Sequence, residues 1–275
     1  MSTIPPRKSP QASASARDNQ ESAERGYSLA ELMVAAAARE IRDGEWVFVG
    51  MRLPLLAWSV ARRVHAPNSV ALFENGVIRE TPPSEMLYTM GDPANLTGAT
   101  QCGEMLDTMG LLQQGRVHVG FLGAAEVDRF GNLNTTWGHR DREMQRLPGS
   151  GGGCDIACLA RRTVVMLAHR RDRLVERIGH LTSPGYGRGT GWRRHVGLPP
   201  ATGPSAIITT LGVLRFSNDC EAYLYSVHPG ISVEEALANT GWPLRVAGEL
   251  IETLPPSPEE LAAIRALDPT RFWTR

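Results

Sequence analysis

A carboxylate, an amide and a glycine follow a short apolar run in the segment ALFENGVIRE, residues 71–80. The run ends at Phe73 and is typical of a buried strand. Glu74, Asn75 and Gly76 come directly after it. A carboxylate held rigidly at such a position can act as a base or a nucleophile, provided that N–H donors stabilise the developing oxyanion. Glu74 is therefore a candidate catalytic residue, although a glutamate that simply ends the strand in water fits the same residues.

The neighbours of Glu74 suit a ligand-binding turn. Gly76 leaves room for a substrate to approach the backbone closely, and Asn75 tolerates the strained conformations that such turns require. In open α/β sheets, ligands bind at the carboxyl ends of the strands. We therefore expect the glycines that follow predicted strands to lie at the same edge.

Two other segments place glycines at such strand ends. The first is VGMRLP at 49–54, which contains Gly50. The second is PGSGGGCDIA at 148–157, which contains Gly151, Gly152 and Gly153 and leads into a predicted helix. N–H groups at a helix N-terminus can face an anionic or oxyanionic group. Glycines at a tight turn need no ligand, so both interpretations of this loop stay open.

Composition limits the kind of protein that can position these residues. The chain has 275 residues, of which 42% are hydrophobic and 21% charged, so it can bury a sizeable core. Lysine plus arginine numbers 29, and aspartate plus glutamate also numbers 29. The balanced charge gives no electrostatic reason to expect nucleic acid or a membrane as the partner.

Cysteine and histidine usage argues against a disulfide scaffold or a metal site. The four cysteines contain no CxxC pair, and the seven histidines are scattered singly without metal-ligand spacing. We expect a reducing, cytoplasmic environment and no metal. Residues 1–27 are rich in Ser, Ala, Pro and Arg and are predicted to form a disordered tail without a secretory signal. No apolar run approaches the roughly 18 residues of a membrane span.

The remainder, residues 28–275, is predicted to form one α/β domain. Helix and strand patterns alternate in the first third, which is typical of a mostly parallel open sheet with helices on both faces. SAIITTLGVLRFS predicts a hairpin turning near Leu211 and Gly212, and hence an antiparallel extension near the C-terminus. Three helix starts show the Ser-x-x-Glu capping box: Ser28 with Glu31, Ser232 with Glu235, and Ser257 with Glu260.

Several of these segments resemble family I coenzyme A transferases. FENGVI is similar to the glutamate signature of that family, and GSGGGCDIA is similar to its second glycine loop. RDGEWVFVGMRLPLLAWSVARRVHAPN, FLGAAEVDRFGNLNTT, HLTSPGYG and GLPPATGPSAIITTLGVLRF resemble the beta subunits of glutaconate CoA-transferase and its relatives. The resemblance covers residues 28–270 and implies the CoA-transferase, or NagB-like, fold.

The resemblance also implies a chemistry. In that family a glutamate attacks an acyl-CoA thioester and passes through a glutamyl-CoA thioester in a ping-pong reaction. Glu74 would be this nucleophile. Gly76, Gly151, Gly152 and Gly153, with the adjacent Asn75, would supply the oxyanion hole and the wall facing coenzyme A. Gly50 would line the same cleft.

Coenzyme A would enter as the acyl-thioester substrate, with no tightly bound cofactor. The glycine-rich signature of the family's alpha half is absent from the sequence. The resemblance therefore implies a separate alpha subunit, in a heterodimer or heterotetramer that acts on an acyl-CoA and a carboxylic acid. Two departures from the family pattern flank the glutamate: Phe73 replaces a frequent serine, and Arg79 replaces a small residue.

Two other functions remain open at this point. The same scaffold resembles acyl-CoA hydrolases that cleave rings by retro-Claisen chemistry and acyl-CoA decarboxylases, in which the beta-chain glutamate is lost. Glu74 would then be a general base or have no covalent role. A non-catalytic subunit, with all the chemistry in its partner, is the third hypothesis. The retained Glu74 favours covalent transfer.

Overall fold

A computed structural model describes residues 25–140 and 143–274 of the chain. Within these residues the helices, in chain order, are α1 (Leu29–Ala38), α2 (Leu53–Val64), α3 (Pro93–Leu96), α4 (Met105–Gln113), α5 (Gly153–Leu159), α6 (Trp192–His195), α7 (Val233–Ala238) and α8 (Pro258–Leu267). The strands, in chain order, are β1 (Trp46–Phe48), β2 (Val70–Leu72), β3 (Val77–Arg79), β4 (Gln101–Cys102), β5 (Val119–Gly123), β6 (Glu126–Asp128), β7 (Leu133–Asn134), β8 (Trp137–Arg140), β9 (Glu143–Arg146), β10 (Arg162–Leu167), β11 (Leu174–Val175), β12 (Pro204–Thr209), β13 (Gly212–Phe216), β14 (Ala222–Val227) and β15 (Arg245–Glu252).

Five short strands lie outside the main sheet and form two small sheets. The strands β6, β7 and β11 make one, and the hairpin of β8 and β9 makes the other. In the chain, β6 to β9 follow the parallel strand β5, and β11 follows the parallel strand β10. The small sheets are therefore built from segments that leave the centre of the main sheet.

The main sheet confirms the predicted α/β class. Its order is β15-β14-β13-β12-β10-β5-β1-β2-β3-β4. The central strands β12, β10, β5, β1 and β2 are all parallel to one another. β13 turns back antiparallel to β12, as the hairpin prediction near Leu211 requires. β3 and β4 add antiparallel strands at the opposite edge, which the sequence patterns did not predict.

Helices cover both faces of the main sheet, and the side chains of its central strands pack in an apolar core on each face. In β1, Val47 belongs to a core with Trp58 of α2, whereas the next residue, Phe48, belongs to a second core with Ile156 of α5. Successive side chains of a strand point to opposite faces, so a continuous apolar run requires two cores. α1, α2 and α8 pack on one face, and α4, α5 and α7 on the other.

Helix starts follow the predicted capping chemistry in two of the three places. Ser28 with Glu31 and Ser257 with Glu260 form complete capping boxes. At α7 the Ser232 hydroxyl accepts from the Glu235 N–H, but the return bond is absent. α1 ends at Ala38 rather than near Gly44, because the chain turns at Arg39 before it enters β1.

Arg79 anchors the segment that follows β3. This side chain is 2% exposed, and its guanidinium donates to four main-chain carbonyls. They belong to Thr81 at 2.9 Å, Ala94 at 3.3 Å, Asn95 at 2.5 Å and Thr97 at 3.1 Å. A buried guanidinium requires such acceptors. Arg79, which stands where the family signature has a small residue, thus ties residues 81–97 to the sheet.

Two buried histidines join the antiparallel half of the sheet to its surroundings through Thr209. The Nδ1 atom of His169 lies 2.9 Å from the Thr209 hydroxyl, and Nε2 of His228 donates to the Thr209 carbonyl at 2.8 Å. Burial lowers the pKa of each imidazole to about 4. Both rings are therefore neutral in the folded protein near pH 7.

The predicted tail, residues 1–27, falls almost wholly outside the described residues, which begin at residue 25. Within it, Tyr27 is buried against the core. Among residues 25–140 and 143–274, no helix has the length and apolar content needed to cross a membrane. All four cysteines are free thiols.

We predict that the protein loses stability between pH 7 and pH 5 because of His169 and His228. Between the unfolded pKa of 6.5 and the folded value of about 4, the unfolded chain binds protons that the folded chain does not. The free energy of unfolding therefore falls as the pH falls through this window, by about 2 kcal/mol per histidine down to pH 5. Urea unfolding at a series of pH values measures the fall.

The variant His228→Gln is the control for this assignment. It lacks one of the two imidazoles, so its stability should fall by about 2 kcal/mol less over the same pH range. An unchanged slope in the variant would show that His228 is not responsible.

Candidate active site

Glu74 lies in the tight turn that joins β2 to β3. Phe73 is completely buried, and its N–H donates to the carbonyl of Val77 at 2.9 Å. The N–H of Gly76 donates back to the Phe73 carbonyl at 3.1 Å. These two bonds close the turn and fix Glu74 directly beyond the carboxyl end of a parallel strand, where ligands bind in open α/β sheets.

Gly76 is required by the packing of this turn. Its φ is +94°, a conformation that favours glycine. A Cβ atom there would lie 2.5 Å from the carbonyl carbon and oxygen of Glu104 and from the carbonyl oxygen of Gly103. The sequence predicted that a substrate would approach the backbone closely at Gly76. In the structure it is the backbone leading into α4 that makes this close approach.

Asn75 holds the turn to the neighbouring segment. Its side chain is exposed, and its Nδ2 donates to the Met90 carbonyl at 2.8 Å. Its Oδ1 accepts from the Val77 N–H at 3.4 Å. Through these contacts Asn75 connects the Glu74 turn to the segment that Arg79 anchors.

The glycine loop before α5 meets the Glu74 carboxylate directly. The N–H of Gly152 donates to Oε1 of Glu74 at 2.9 Å. A Cβ atom on Gly152 would lie 3.0 Å from Cδ of Glu74, and one on Gly151 would lie 3.4 Å from Oε1. The N–H of Gly153 is used within the loop, because it donates to the Ser150 carbonyl at 2.8 Å. Gly152 is also the N-cap of α5, so the carboxylate sits at a helix N-terminus.

Glu74 lies on the wall of an open cavity of about 670 Å³. Gly50 and Gly153 line the same cavity. Apolar lining comes from the ends of β1 and β5 and from α5, through residues such as Phe48, Leu122 and Ile156. All three segments that place glycines at strand ends thus contribute residues to the wall, and Gly151 and Gly152 abut the carboxylate itself.

A larger cavity of about 1280 Å³ lies elsewhere, between Asp128 and Trp192, and contains none of the predicted site residues. Size alone would favour it. The smaller cavity has the carboxylate at strand ends with an N–H donor, so we assign the candidate site there.

Sequence patterns did not single out two arginines of the site. Arg52 and Arg173 line the cavity and, with Glu74, are its charged residues. Arg52 lies close to Gly50 in VGMRLP, but nothing in that motif indicates where its side chain goes. Arg173 precedes the short strand β11, whose position depends on contacts with β6 far away in the chain. Only the folded chain brings them to the cavity of Glu74.

The arrangement suits chemistry on an acyl group. One carboxylate oxygen of Glu74 is held by an N–H, and the described residues provide no hydrogen bond to the other, Oε2. Among residues 25–140 and 143–274, no three His, Cys, Asp or Glu side chains are grouped to hold a metal ion. A fixed carboxylate can attack a carbonyl carbon. The adjacent N–H donor can then stabilise an oxyanion that forms when the carbon of that carboxylate is itself attacked.

Comparison with known proteins agrees with this interpretation. The profile of the coenzyme A transferase family matches residues 30–239. The beta subunit of 3-oxoadipate CoA-transferase from Pseudomonas knackmussii is 39% identical over 247 residues, covering 88% of this chain and 94% of the relative. The beta subunit of glutaconate CoA-transferase from Acidaminococcus fermentans is 33% identical over 254 residues, covering 88% of this chain and 93% of the relative.

Solved structures extend the likeness to the fold. The crystal structure of the Acidaminococcus fermentans glutaconate CoA-transferase matches with a TM-score of 0.83 at 31% identity, over 90% of this chain and 98% of that chain. The decarboxylase AibA/AibB matches with a TM-score of 0.76 at 29% identity, over 90% of this chain and 97% of that chain.

The fold is an open α/β sheet of the kind found in the glutaconate CoA-transferase structure. The chain belongs to the coenzyme A transferase family, and within it corresponds to the beta subunit. The resemblance predicted from FENGVI and the flanking segments is thereby confirmed.

We predict that Gly76→Ala destabilises the protein. The new methyl group would lie 2.5 Å from the backbone of Glu104, and the residue would keep an unfavourable positive φ. We expect the free energy of unfolding to fall by about 3 kcal/mol. Urea unfolding followed by circular dichroism measures the change.

The matched control is Gly110→Ala. Gly110 lies within α4, and a Cβ atom there would meet nothing within 4 Å. Alanine favours a helix over glycine, so this variant should gain about 0.5–1 kcal/mol. Equal stability of the two variants would contradict the packing argument for Gly76.

Proposed function

We propose that the chain is the beta subunit of a heteromeric acyl-CoA:carboxylate CoA-transferase whose nucleophile is Glu74. The observation that carries the proposal is the bond of 2.9 Å between the Gly152 N–H and Oε1 of Glu74, at the wall of a cavity of about 670 Å³. Relatives that are themselves single subunits of CoA-transferases support an alpha subunit as the partner and coenzyme A thioesters as substrates.

The first half-reaction begins when Oε2 of Glu74 attacks the thioester carbonyl. The carbon–sulfur bond breaks, coenzyme A leaves as a thiolate, and a mixed anhydride of Glu74 and the acyl group remains. The thiolate then attacks Cδ of Glu74. The donor carboxylate leaves, and a glutamyl-CoA thioester remains on the enzyme. The acceptor carboxylate reverses both steps and departs as the new acyl-CoA.

Gly152 has a defined part in this scheme. When the thiolate attacks Cδ of Glu74, negative charge develops on the oxygen that is not in the anhydride bond. That oxygen is Oε1, which already accepts from the Gly152 N–H at 2.9 Å. The donor is in place before the charge forms, which is the condition for effective oxyanion stabilisation.

A second candidate function follows from the likeness to AibA/AibB, a decarboxylase, at 29% identity. In such an enzyme the cleft would bind an acyl-CoA without a covalent glutamyl intermediate. Glu74 at the strand end with its N–H donor favours the transferase. The two functions differ in whether Glu74 becomes covalently linked.

We predict a covalent adduct on Glu74. The alpha–beta complex is incubated with acetyl-CoA, succinyl-CoA or glutaryl-CoA and then treated with borohydride. Borohydride reduces a glutamyl thioester to a primary alcohol but leaves a free carboxylate unchanged. Mass spectrometry should find the reduced side chain in the peptide that contains Glu74, because only a covalent intermediate makes it reducible.

Glu74→Gln is the isosteric control and should show neither the adduct nor transfer. If the wild-type complex turns over an acyl-CoA and the Glu74 peptide stays unmodified, the transferase mechanism is wrong. The decarboxylase or hydrolase function then takes its place.

We further predict that Gly152→Ala slows transfer without unfolding the protein. The methyl group would lie 3.0 Å from Cδ of Glu74 and push the carboxylate from its position. A displacement of this kind lowers kcat by about 10- to 100-fold. Steady-state transfer rates and thermal unfolding are measured for the same preparations.

Cys154→Ala serves as the control, since it changes α5 two residues further on by removing an atom rather than adding one. It should keep a rate close to that of the wild type. Equal rates in Gly152→Ala and the wild type would exclude a role for this contact.

A further inference from the structure

Arg52 adopts a backbone conformation that an arginine rarely adopts. Its φ is 67° and its ψ is −122°, in a region that glycine occupies readily and other residues do not. Arg52 is the N-cap of α2, but its side chain makes no capping hydrogen bond. Helix capping therefore does not explain an arginine at this position. Strained residues of this kind concentrate at ligand-binding sites.

Arg52 lines the cavity on whose wall Glu74 lies. Its guanidinium carbon is 5.0 Å from the centre of the Trp273 ring. Stacking on an aromatic ring holds the planar guanidinium but leaves its N–H groups free to donate at their edge. Arg52 is exposed and is one of the residues that line the cavity, so a ligand bound there can meet it.

No carboxylate of the described residues forms an ion pair with Arg52. Other arginines among the described residues do form ion pairs with carboxylates, for example Arg162 with Glu45 and Arg39 with Glu260. Arg173, the other cationic residue of the cavity, likewise has no ion pair with a described residue. The residues that line the cavity thus include two arginines and a single acidic residue, Glu74.

We propose that Arg52 binds an oxyanion of the substrate remote from the reacting thioester. A guanidinium donates two parallel hydrogen bonds to a carboxylate or a phosphate, and the stacked ring of Trp273 fixes its plane in advance. The oxyanion is either the second carboxylate of a dicarboxylic acyl group or a phosphate of coenzyme A. This inference rests on the proposed function, because it takes Glu74 as the reacting group.

The substitution Arg52→Gly separates binding from folding. Glycine adopts this φ without strain, so the variant should unfold at a temperature no lower than the wild type. The kcat/KM for the anionic substrate should fall by at least about 10-fold, mainly through KM, because a remote contact contributes to binding. Arg52→Asn, which also tolerates a positive φ, is a second variant with the same expected loss.

The substrate series identifies the oxyanion. If Arg52 holds a carboxylate, the loss should appear with glutaryl-CoA and be absent with butyryl-CoA. If it holds a phosphate, the loss should appear with both and disappear when the pantetheine thioesters replace them. Wild-type kcat/KM in Arg52→Gly for every substrate would overturn the proposal.

Two further measurements complete the design. Arg63→Ala removes an exposed arginine from the C-terminal turn of α2, outside the cavity, and should leave kcat/KM unchanged. Borohydride labelling of Glu74 at saturating acyl-CoA should remain normal in Arg52→Gly. Unlabelled Glu74 in the wild type would refute the covalent mechanism, whereas normal labelling with unaltered KM in Arg52→Gly would refute the role of Arg52 alone.

Discussion

The hydrogen bond from the Gly152 N–H to the Glu74 carboxylate is the contact on which the site depends. It joins residues 78 positions apart in the chain. The donor caps α5 and the acceptor extends from a tight turn after β2, so each end belongs to a rigid element. Five parallel strands, buried on both faces, hold these elements at one edge of the sheet. A carboxylate placed on a loose loop would lose the fixed geometry that makes it an effective nucleophile.

Sequence reasoning performs well where the signal is local. The helix that begins around Pro54, the strand after it and the hairpin near Leu211 all follow from short patterns of apolar, proline and glycine residues. Ser28 and Ser257 cap their helices as the capping box predicts. Each of these features is decided by residues fewer than about ten positions apart.

The same reasoning is incomplete where distant segments meet. β3 and β4 form a second antiparallel edge because the chain reverses at Gly76, where the sequence pattern indicates only the end of a strand. α1 ends at Ala38, several residues before Gly44, and Arg39, the residue after the helix, pairs with Glu260, which lies 221 residues away. Arg52 reaches the cavity through a backbone conformation that no propensity favours. In these places tertiary contacts outweigh the local preference.

Arg79 illustrates how the site can change without losing its support. It holds residues 81–97 only through main-chain carbonyls, which every amino acid carries. Side chains of the segment add to this anchor, since Leu87 lies in the core and Asn95 is completely buried. Met90, which lines the cavity, lies within this segment. A substitution at Met90 can therefore reshape the cavity wall while the bonds from Arg79 to the main chain of the segment stay intact.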